Sequence, residues 1–201
     1  MILSGPEILS EVRAGRIHID HFDPERIEPN SYGFRLADDI LWYEEDVIDC
    51  FEPPKAARVK LGPEGMVLEP GRFYLGGTME AMGSPHYAAT LHACRSASTL
   101  GIWIQFSAPL GHSGAVFPWT LELKVAHPVR VYPGMMIGKL AFWSMQGESV
   151  GYVGKYTGSS SAVVSRLSLD DRLPPGEPRQ ALTALLPLPA PRTTKTAGGP
   201  S

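Results

Sequence analysis

A single carboxylate lies within a segment of the chain that otherwise carries neutral and basic residues. Residues 93–123 read ACRSASTLGIWIQFSAPLGHSGAVFPWTLEL, and the acid is Glu122. Side chains alternate along a strand, so in WTLELKV the threonine, Glu122 and the lysine share one face and the apolar residues share the other. Such a face is typical of a solvated sheet surface, where Glu and Lys are usually found. It also suits a general base in a cleft, and the sequence leaves both interpretations open.

Six segments occur in an order that carries a family resemblance. They are IEPNSYGFRL from Ile27, LEPGRFYLGGTME from Leu68, RSASTLGI from Arg95, TLEL from Thr120, YPGMMIGKLAFW from Tyr132 and GKYTGSSSAVVSR from Gly154. Together they resemble the dCTP deaminase and dUTPase family, trimeric β proteins that act on pyrimidine deoxynucleoside triphosphates. The likeness covers residues 1–167, and its last segment resembles the one that closes over the nucleotide in that family.

The resemblance implies a role for Glu122. In the deaminase branch of the family, a Glu in a TLE-like strand acts as the general base, and Glu122 occupies that position. Deaminating cytosine without a metal requires a base that takes a proton from water as the water attacks C4. The same group then delivers the proton to the ring or to the leaving amine.

A second catalytic element is implied around Arg95. Family deaminases stabilise developing charge with a Ser of an R-S-S motif and a nearby Arg, and Arg95 and Ser96 match the start of that motif. The third position is alanine with Ser98 next, and Thr99 stands where the family has its second Arg. Aligned from the following Leu-Gly, Arg95 would instead take a serine position. A third interpretation is that Arg95 and Ser96 close a turn and cap a short helix.

The remaining binding residues are assigned by the same resemblance. Phosphates would be bound by Arg95, Lys155 and the backbone of the Gly-Ser-rich segment, the base by backbone groups, and the sugar or phosphate by a histidine. The implied substrate-binding residues are Arg95, Ser98, Ser107, Ala108, His112, Lys155, Tyr156 and Ser159, with Glu122 and Ser96 catalytic. The alternatives are a flexible serine-rich linker and a surface histidine.

Two carboxylates of the dUTPase branch are missing. His112 stands where that branch has the Asp that positions the hydrolytic water, and Gly33 stands where it has an Asp that helps to anchor magnesium. Because Mg²⁺ prefers hard oxygen ligands, the exchange favours deamination over pyrophosphate release. The H-x-E motif of zinc deaminases is also absent, since Cys94 follows His92-Ala93. We therefore expect no cofactor for the chemistry, with Mg²⁺ accompanying the nucleotide phosphates.

Three functions follow from these residues. The first is metal-independent hydrolytic deamination of a cytosine (deoxy)nucleotide, dCTP to dUTP plus ammonia, at sites between the subunits of a homotrimer. The second is a dUTPase-type nucleotide pyrophosphatase. The third is a catalytically inactive nucleotide-binding homologue, motivated by Thr99 and His112.

Composition narrows the partners. The chain has 201 residues, 43% of them hydrophobic, and a net charge of −3 with no basic cluster, which argues against nucleic acid as a partner. It has no apolar run that would span a membrane and no signal-like start, so we expect a cytoplasmic protein. Cys50 and Cys94 are then expected to be free thiols.

The predicted fold is mainly β, a distorted barrel or jelly-roll-like arrangement of dUTPase type with one N-terminal helix and few short helices. Ser4 and Glu7 have capping-box spacing, and Gly15 is a suitable helix terminator. Residues 1–167 form the domain, and residues 168–201 are a Pro-rich, disordered tail. Strands are predicted at 16–20, 31–36, 40–43, 58–61, 71–79, 87–93, 101–106, 119–125, 129–131 and 136–143.

Overall fold

A computed structural model of the protein describes residues 1–170. The predicted tail lies outside the described residues except for 168–170. In the described range the α-helices are α1 (Gly5–Arg13) and α2 (Arg95–Thr99), and short 3-10 helices lie at Pro24–Arg26 and Leu167–Leu169. The strands are β1 (His18–Ile19), β2 (Ile27–Glu28), β3 (Ser31–Tyr43), β4 (Ala56–Lys60), β5 (Met66–Leu68), β6 (Tyr74–Gly83), β7 (Tyr87–Ala93), β8 (Ile102–Trp103), β9 (Leu110–Gly111), β10 (Phe117–Val125), β11 (Val129–Val131) and β12 (Met136–Ser144).

One curled antiparallel sheet dominates the fold. Its main path runs β8-β10-β6-β3-β12-β7-β9, while β1 pairs with β6 and both β2 and β4 pair with β3. β5 and β11 form a separate two-stranded ribbon. The mainly β prediction is confirmed. No helix within residues 1–170 is both long and apolar enough to cross a membrane.

The alternation predicted for the central strand is confirmed in β10. Trp119, Leu121, Leu123 and Val125 are buried in the main core, whereas Thr120 and Glu122 on the other face are partly exposed. Burial of the four apolar side chains fixes the register of the strand, because a slip by one residue would turn them to the opposite face. Glu122 lies opposite Leu75 of β6 in that register.

Most predicted strands are present, with differences at their ends. β7 and β11 have the predicted bounds. The predicted strands 31–36 and 40–43 are one continuous strand, β3, because its two central aspartates pair with basic residues of β4. The prediction for 101–106 was too long, since only Ile102–Trp103 pairs with β10. The short strands β2, β5 and β9 were not predicted.

The N-terminal helix forms, although its predicted capping box does not. Ser4 occupies the N-cap, but its side chain makes no capping hydrogen bond. The backbone amide of Gly15, at a φ of 71°, donates to the Val12 carbonyl just after the helix ends, as the sequence predicts.

A buried carboxylate fastens α1 to the sheet. Glu11 is 2% exposed, accepts a hydrogen bond from Arg16 Nε at 2.6 Å and another from the Tyr87 hydroxyl at 2.7 Å. The hydrogen bond from Arg16 lowers the pKa of Glu11 from 4.5 to about 2, outweighing the opposing effect of burial. Glu11 therefore stabilises the folded state in its ionised form.

This pair predicts an acid-sensitive stability difference. Because the folded pKa lies below the unfolded one, the contribution of Glu11 is complete above about pH 4.5 and is lost as the pH falls toward 2. We expect Glu11→Gln to be less stable than wild type near pH 7, and the difference to shrink between pH 4.5 and 3. Urea unfolding at several pH values measures it, with the exposed Glu7→Gln as control. A difference that grows on acidification would contradict the assignment.

Candidate active site

A cavity of about 500 Å³ lies between β10, the loop that follows β8, and the closing segment, which we define as residues 152–166. Its walls are mostly aromatic and apolar. The side chains that line it include Tyr43, Phe73, Leu75, Ala108, Leu110, His112, Phe117, Trp119, Thr120, Glu122, Tyr152, Tyr156, Ser159, Val163 and Ser165. Glu122 supplies the one carboxylate of this lining, and no Lys or Arg of the described residues belongs to it.

Glu122 is held at the cavity by the backbone of the loop that follows β8. Its Oε2 accepts hydrogen bonds from the amides of Phe106 at 2.6 Å and Ser107 at 3.2 Å. Its own amide donates to the carbonyl of Ile104 at 3.0 Å. The loop therefore fixes both the backbone and the carboxylate of Glu122. The carboxylate lines a space large enough for a small molecule. Such a group can accept a proton from a water molecule bound beside it.

The loop that carries His112 is joined to the start of the closing segment. The His112 ring stacks on Tyr152 with centroids 5.7 Å apart, and Phe117 meets the same tyrosine edge-on. The Tyr152 amide donates to the carbonyl of Ser113 at 2.7 Å. Gly114, at a φ of 84°, allows this approach, since a Cβ there would lie 2.7 Å from the Tyr152 nitrogen.

The later part of the closing segment is hydrogen-bonded to β10 and β3. The Val163 amide donates to Thr120 Oγ1 and the Ser165 amide donates to the Tyr43 hydroxyl, both at 3.1 Å. Thr120 and Glu122 share one face of β10. The closing segment therefore contacts the same face of β10 that carries Glu122.

One part of the cavity lining requires a glycine at position 111. The Trp119 indole lies against Gly111, where any Cβ would overlap the ring, and Trp119 Nε1 donates to the Met82 carbonyl at 3.0 Å. The ring is therefore fixed by packing on one side and by a hydrogen bond on the other.

The structure brings together one group of the predicted site residues. Glu122, Ala108, His112, Tyr156 and Ser159 line the cavity, and Ser107 binds Glu122 through its amide. These positions come from three separate parts of the sequence.

A second group of predicted residues lies elsewhere in residues 1–170. Arg95, Ser96 and Ser98 are exposed on α2 and do not line the cavity. Cys94, not Arg95 or Ser96, is the N-cap of that helix, so the helix-capping interpretation was wrong. Lys155 stays outside the lining, with its ammonium 5.7 Å from the centre of the Tyr156 ring.

Several cavity residues were not predicted. Thr120 shares the polar face with Glu122, so the strand alternation would have found it. Tyr43 and Tyr152 had no such signal, because their positions depend on contacts with distant parts of the chain. Among residues 1–170, no three His, Cys, Asp or Glu side chains are grouped to hold a metal ion.

Comparison with known proteins places this arrangement in a family. Residues 2–145 match a family model described as dCTP deaminase-like. A dCTP deaminase of Rhodopirellula baltica is 41% identical over 150 residues, covering 74% of this chain and 75% of the relative. A dUMP-forming dCTP deaminase of Leptospira biflexa is 36% identical over 171 residues, covering 85% of this chain and 98% of the relative.

A solved structure supports the fold. The crystal structure of 2'-deoxycytidine 5'-triphosphate deaminase from Agrobacterium tumefaciens matches with a TM-score of 0.56 at 19% identity. The match covers 70% of this chain and 47% of that one, so this chain spans about half of its length. With the family model and the two relatives, these similarities show that the chain belongs to the dCTP deaminase-like family.

Proposed function

We propose that this protein hydrolytically deaminates a cytosine deoxynucleotide, dCTP to dUTP plus ammonia, with Glu122 as the general base. The observation that carries the proposal is the carboxylate of Glu122 at the cavity, oriented by the amides of Phe106 and Ser107. The family relationship supplies the substrate class, since the relatives described above are named dCTP deaminases.

The reaction can be written around this one acid. A water oxygen forms a bond to C4 of the cytosine ring while Glu122 takes a proton from the water. Glu122 passes that proton to N3 of the ring, which leaves a hydroxyl and an amine on C4. Glu122 then takes the hydroxyl proton and gives it to the amine, the C4–N bond breaks as the C4 carbonyl forms, and ammonia leaves. Cytosine and water are consumed, and uracil and ammonia are formed. A fixed carboxylate that accepts and returns a proton twice is suited to this sequence of steps.

Backbone groups next to Glu122 would read the base. The amide of Ser107 donates its hydrogen bond to Glu122 and is not available to a base. The carbonyl of Ser107 and the amide and carbonyl of Ala108 are the groups that we assign to the pyrimidine edge. Fixed backbone donors and acceptors discriminate well because their positions do not change on binding. We assign His112, whose ring stacks on Tyr152, to the sugar or a phosphate of the nucleotide.

Phosphate binding needs cationic side chains, and the cavity lining includes no Lys or Arg of residues 1–170. We assign it to Lys155, which lies beside Tyr156, to Ser159, and to Arg95 of a second subunit. Ser96 and Ser98 would then come from the same neighbouring helix, with Ser96 helping to stabilise the attacked centre. This requires an oligomer with shared sites, and we propose a homotrimer. No cofactor enters the chemistry, and Mg²⁺ would accompany the phosphates.

We also propose that the enzyme works in the cytoplasm, where dNTPs are made and used. Cys50 and Cys94 support this, because both are free thiols and Cys50 is exposed. Burial raises the pKa of the Cys94 thiol, which keeps it protonated and unreactive.

A second candidate is deamination that continues to a dUMP-type product. It is favoured by the relative from Leptospira biflexa and another from Clostridium beijerinckii, both named dUMP-forming. This reaction would release pyrophosphate as well as ammonia, so the two products distinguish the candidates.

The central prediction concerns Glu122. We expect purified wild-type protein to release ammonia from dCTP, and Glu122→Gln to lower kcat by about 10² to 10⁴, the range for loss of a general base. Ammonia and pyrophosphate are measured in parallel over a panel of cytosine and uracil nucleotides. The exposed Glu148→Gln, outside the cavity, is the matched control.

The same panel contains the contrary outcomes. Ammonia release that survives in Glu122→Gln would remove the acid from the mechanism. Pyrophosphate from dUTP without ammonia from any cytosine nucleotide would favour a pyrophosphatase. Binding without turnover of any nucleotide would leave only a nucleotide-binding protein.

Shared sites predict complementation. We expect Arg95→Ala and Glu122→Gln each to inactivate the enzyme alone. A site that takes Glu122 from one subunit and Arg95 from its neighbour is intact in some mixed oligomers. We expect co-expression of the two inactive chains to restore ammonia release. The measurement is activity of the co-purified mixture against each variant alone. No recovery, with mixed oligomers confirmed by mass, would contradict sites between subunits.

A further inference from the structure

The closing segment has no regular secondary structure of its own. Residues 152–166 contain neither helix nor strand, yet six of their residues form part of the cavity wall, namely Tyr152, Tyr156, Ser159, Val163, Val164 and Ser165. A segment without an internal hydrogen-bond ladder takes its position from contacts with other elements.

Arg58 of β4 makes one such contact. Its Nη2 donates to the carbonyl of Ala162 at 2.9 Å, and its Nη1 lies 3.3 Å from Ser161 Oγ. The same Nη1 donates to Asp39 Oδ2 at 2.6 Å. The side chain of Asp39 is 9% exposed, so it holds the guanidinium from the protein side while the other nitrogen faces the segment. A planar fork with several donors suits such a bridge.

Ala162 is the point at which the segment is buried. It is fully buried and packs in a small cluster with Leu41 and Leu75. It lies against Gly77, where a Cβ would be 3.2 Å from the Ala162 nitrogen. The carbonyl that Arg58 binds therefore belongs to a residue already enclosed by the sheet.

The residues that follow Ala162 are those that contact the acid-bearing face. The next amide, that of Val163, donates to Thr120, and the amide of Ser165 donates to Tyr43. Both acceptors line the cavity. A shift at Ala162 would move these two hydrogen bonds together.

We propose that Arg58, oriented by Asp39, is a positioning residue that clamps the closing segment to the sheet and so sets one wall of the substrate cavity. Arg58 does not line the cavity and acts only through Ala162 and Ser161. Its effect on catalysis rests on the proposed deaminase function, whereas its effect on the segment does not.

The clamp is tested first without any nucleotide. Hydrogen exchange at the amides of Val163 and Ser165 is compared between wild type and Arg58→Gln, and we expect exchange to be about tenfold faster in the variant, the loss of one charge-assisted hydrogen bond. Arg58→Lys keeps the charge without the fork and should fall between the two. Exchange in the core strands β6 and β10 should be unchanged.

Lys60→Gln is the matched control. Lys60 lies two residues along the same strand and pairs with Asp38 at 2.9 Å and Asp39 at 3.3 Å, but it binds the aspartates rather than the segment. If Arg58→Gln exchanges no faster than Lys60→Gln at these two amides, there is no clamp. If Arg58→Gln does not fold, Arg58→Lys serves instead, since it removes the guanidinium fork while keeping the charge beside Asp39. Exchange in Arg58→Lys no faster than in Lys60→Gln would then overturn the proposal.

The kinetic test follows on the full enzyme. We expect Arg58→Gln to raise KM for dCTP about tenfold with little change in kcat, because Glu122 and its amide donors are untouched. If kcat falls as much as KM rises, and Lys60→Gln shows the same changes, the role of Arg58 is merely structural. If no variant or wild type turns over dCTP, the deaminase proposal fails, and the exchange result still decides the clamp.

Discussion

The candidate site depends on two hydrogen bonds that run from loop to strand. The amides of Phe106 and Ser107 converge on one oxygen of Glu122, and this joins the segment after β8 to the polar face of β10. The bonds orient the acid, and they also fix the neighbouring backbone groups that would face a base. Because both amides belong to the same loop and share one acceptor oxygen, loop and side chain hold each other in place.

The sheet makes this arrangement rigid. β10 lies between β8 and β6, and its apolar face is part of the main core. The acid therefore sits on a strand that cannot rotate without exposing four apolar side chains. The remaining walls come from less regular chain, which is typical of sites in which a scaffold holds the chemistry and loops provide recognition. Aromatic stacking between His112 and Tyr152 ties two of those loops together.

Periodicity predicted which side chains of a strand share a face, but it could not predict contacts between residues far apart in the sequence. The alternation in WTLELKV identified both the buried and the polar face of β10, because a period of two is fixed by strand geometry. The family resemblance pointed to Glu122 and His112, which both line the cavity. It could not place Tyr43 or Arg58, whose partners in the closing segment lie more than a hundred positions away along the chain. Nor could it show that Arg95 lies on an exposed helix outside this cavity, since that depends on how α2 leaves the sheet.

The contact between Gly111 and Trp119 has a consequence for the evolution of this chain. A glycine and the largest side chain fit together there only because each compensates for the size of the other. Replacing either alone leaves a void or a clash, so a substitution at one position calls for a matching change of volume at the other. This coupling restricts the single substitutions by which the chain can change at this point of the fold.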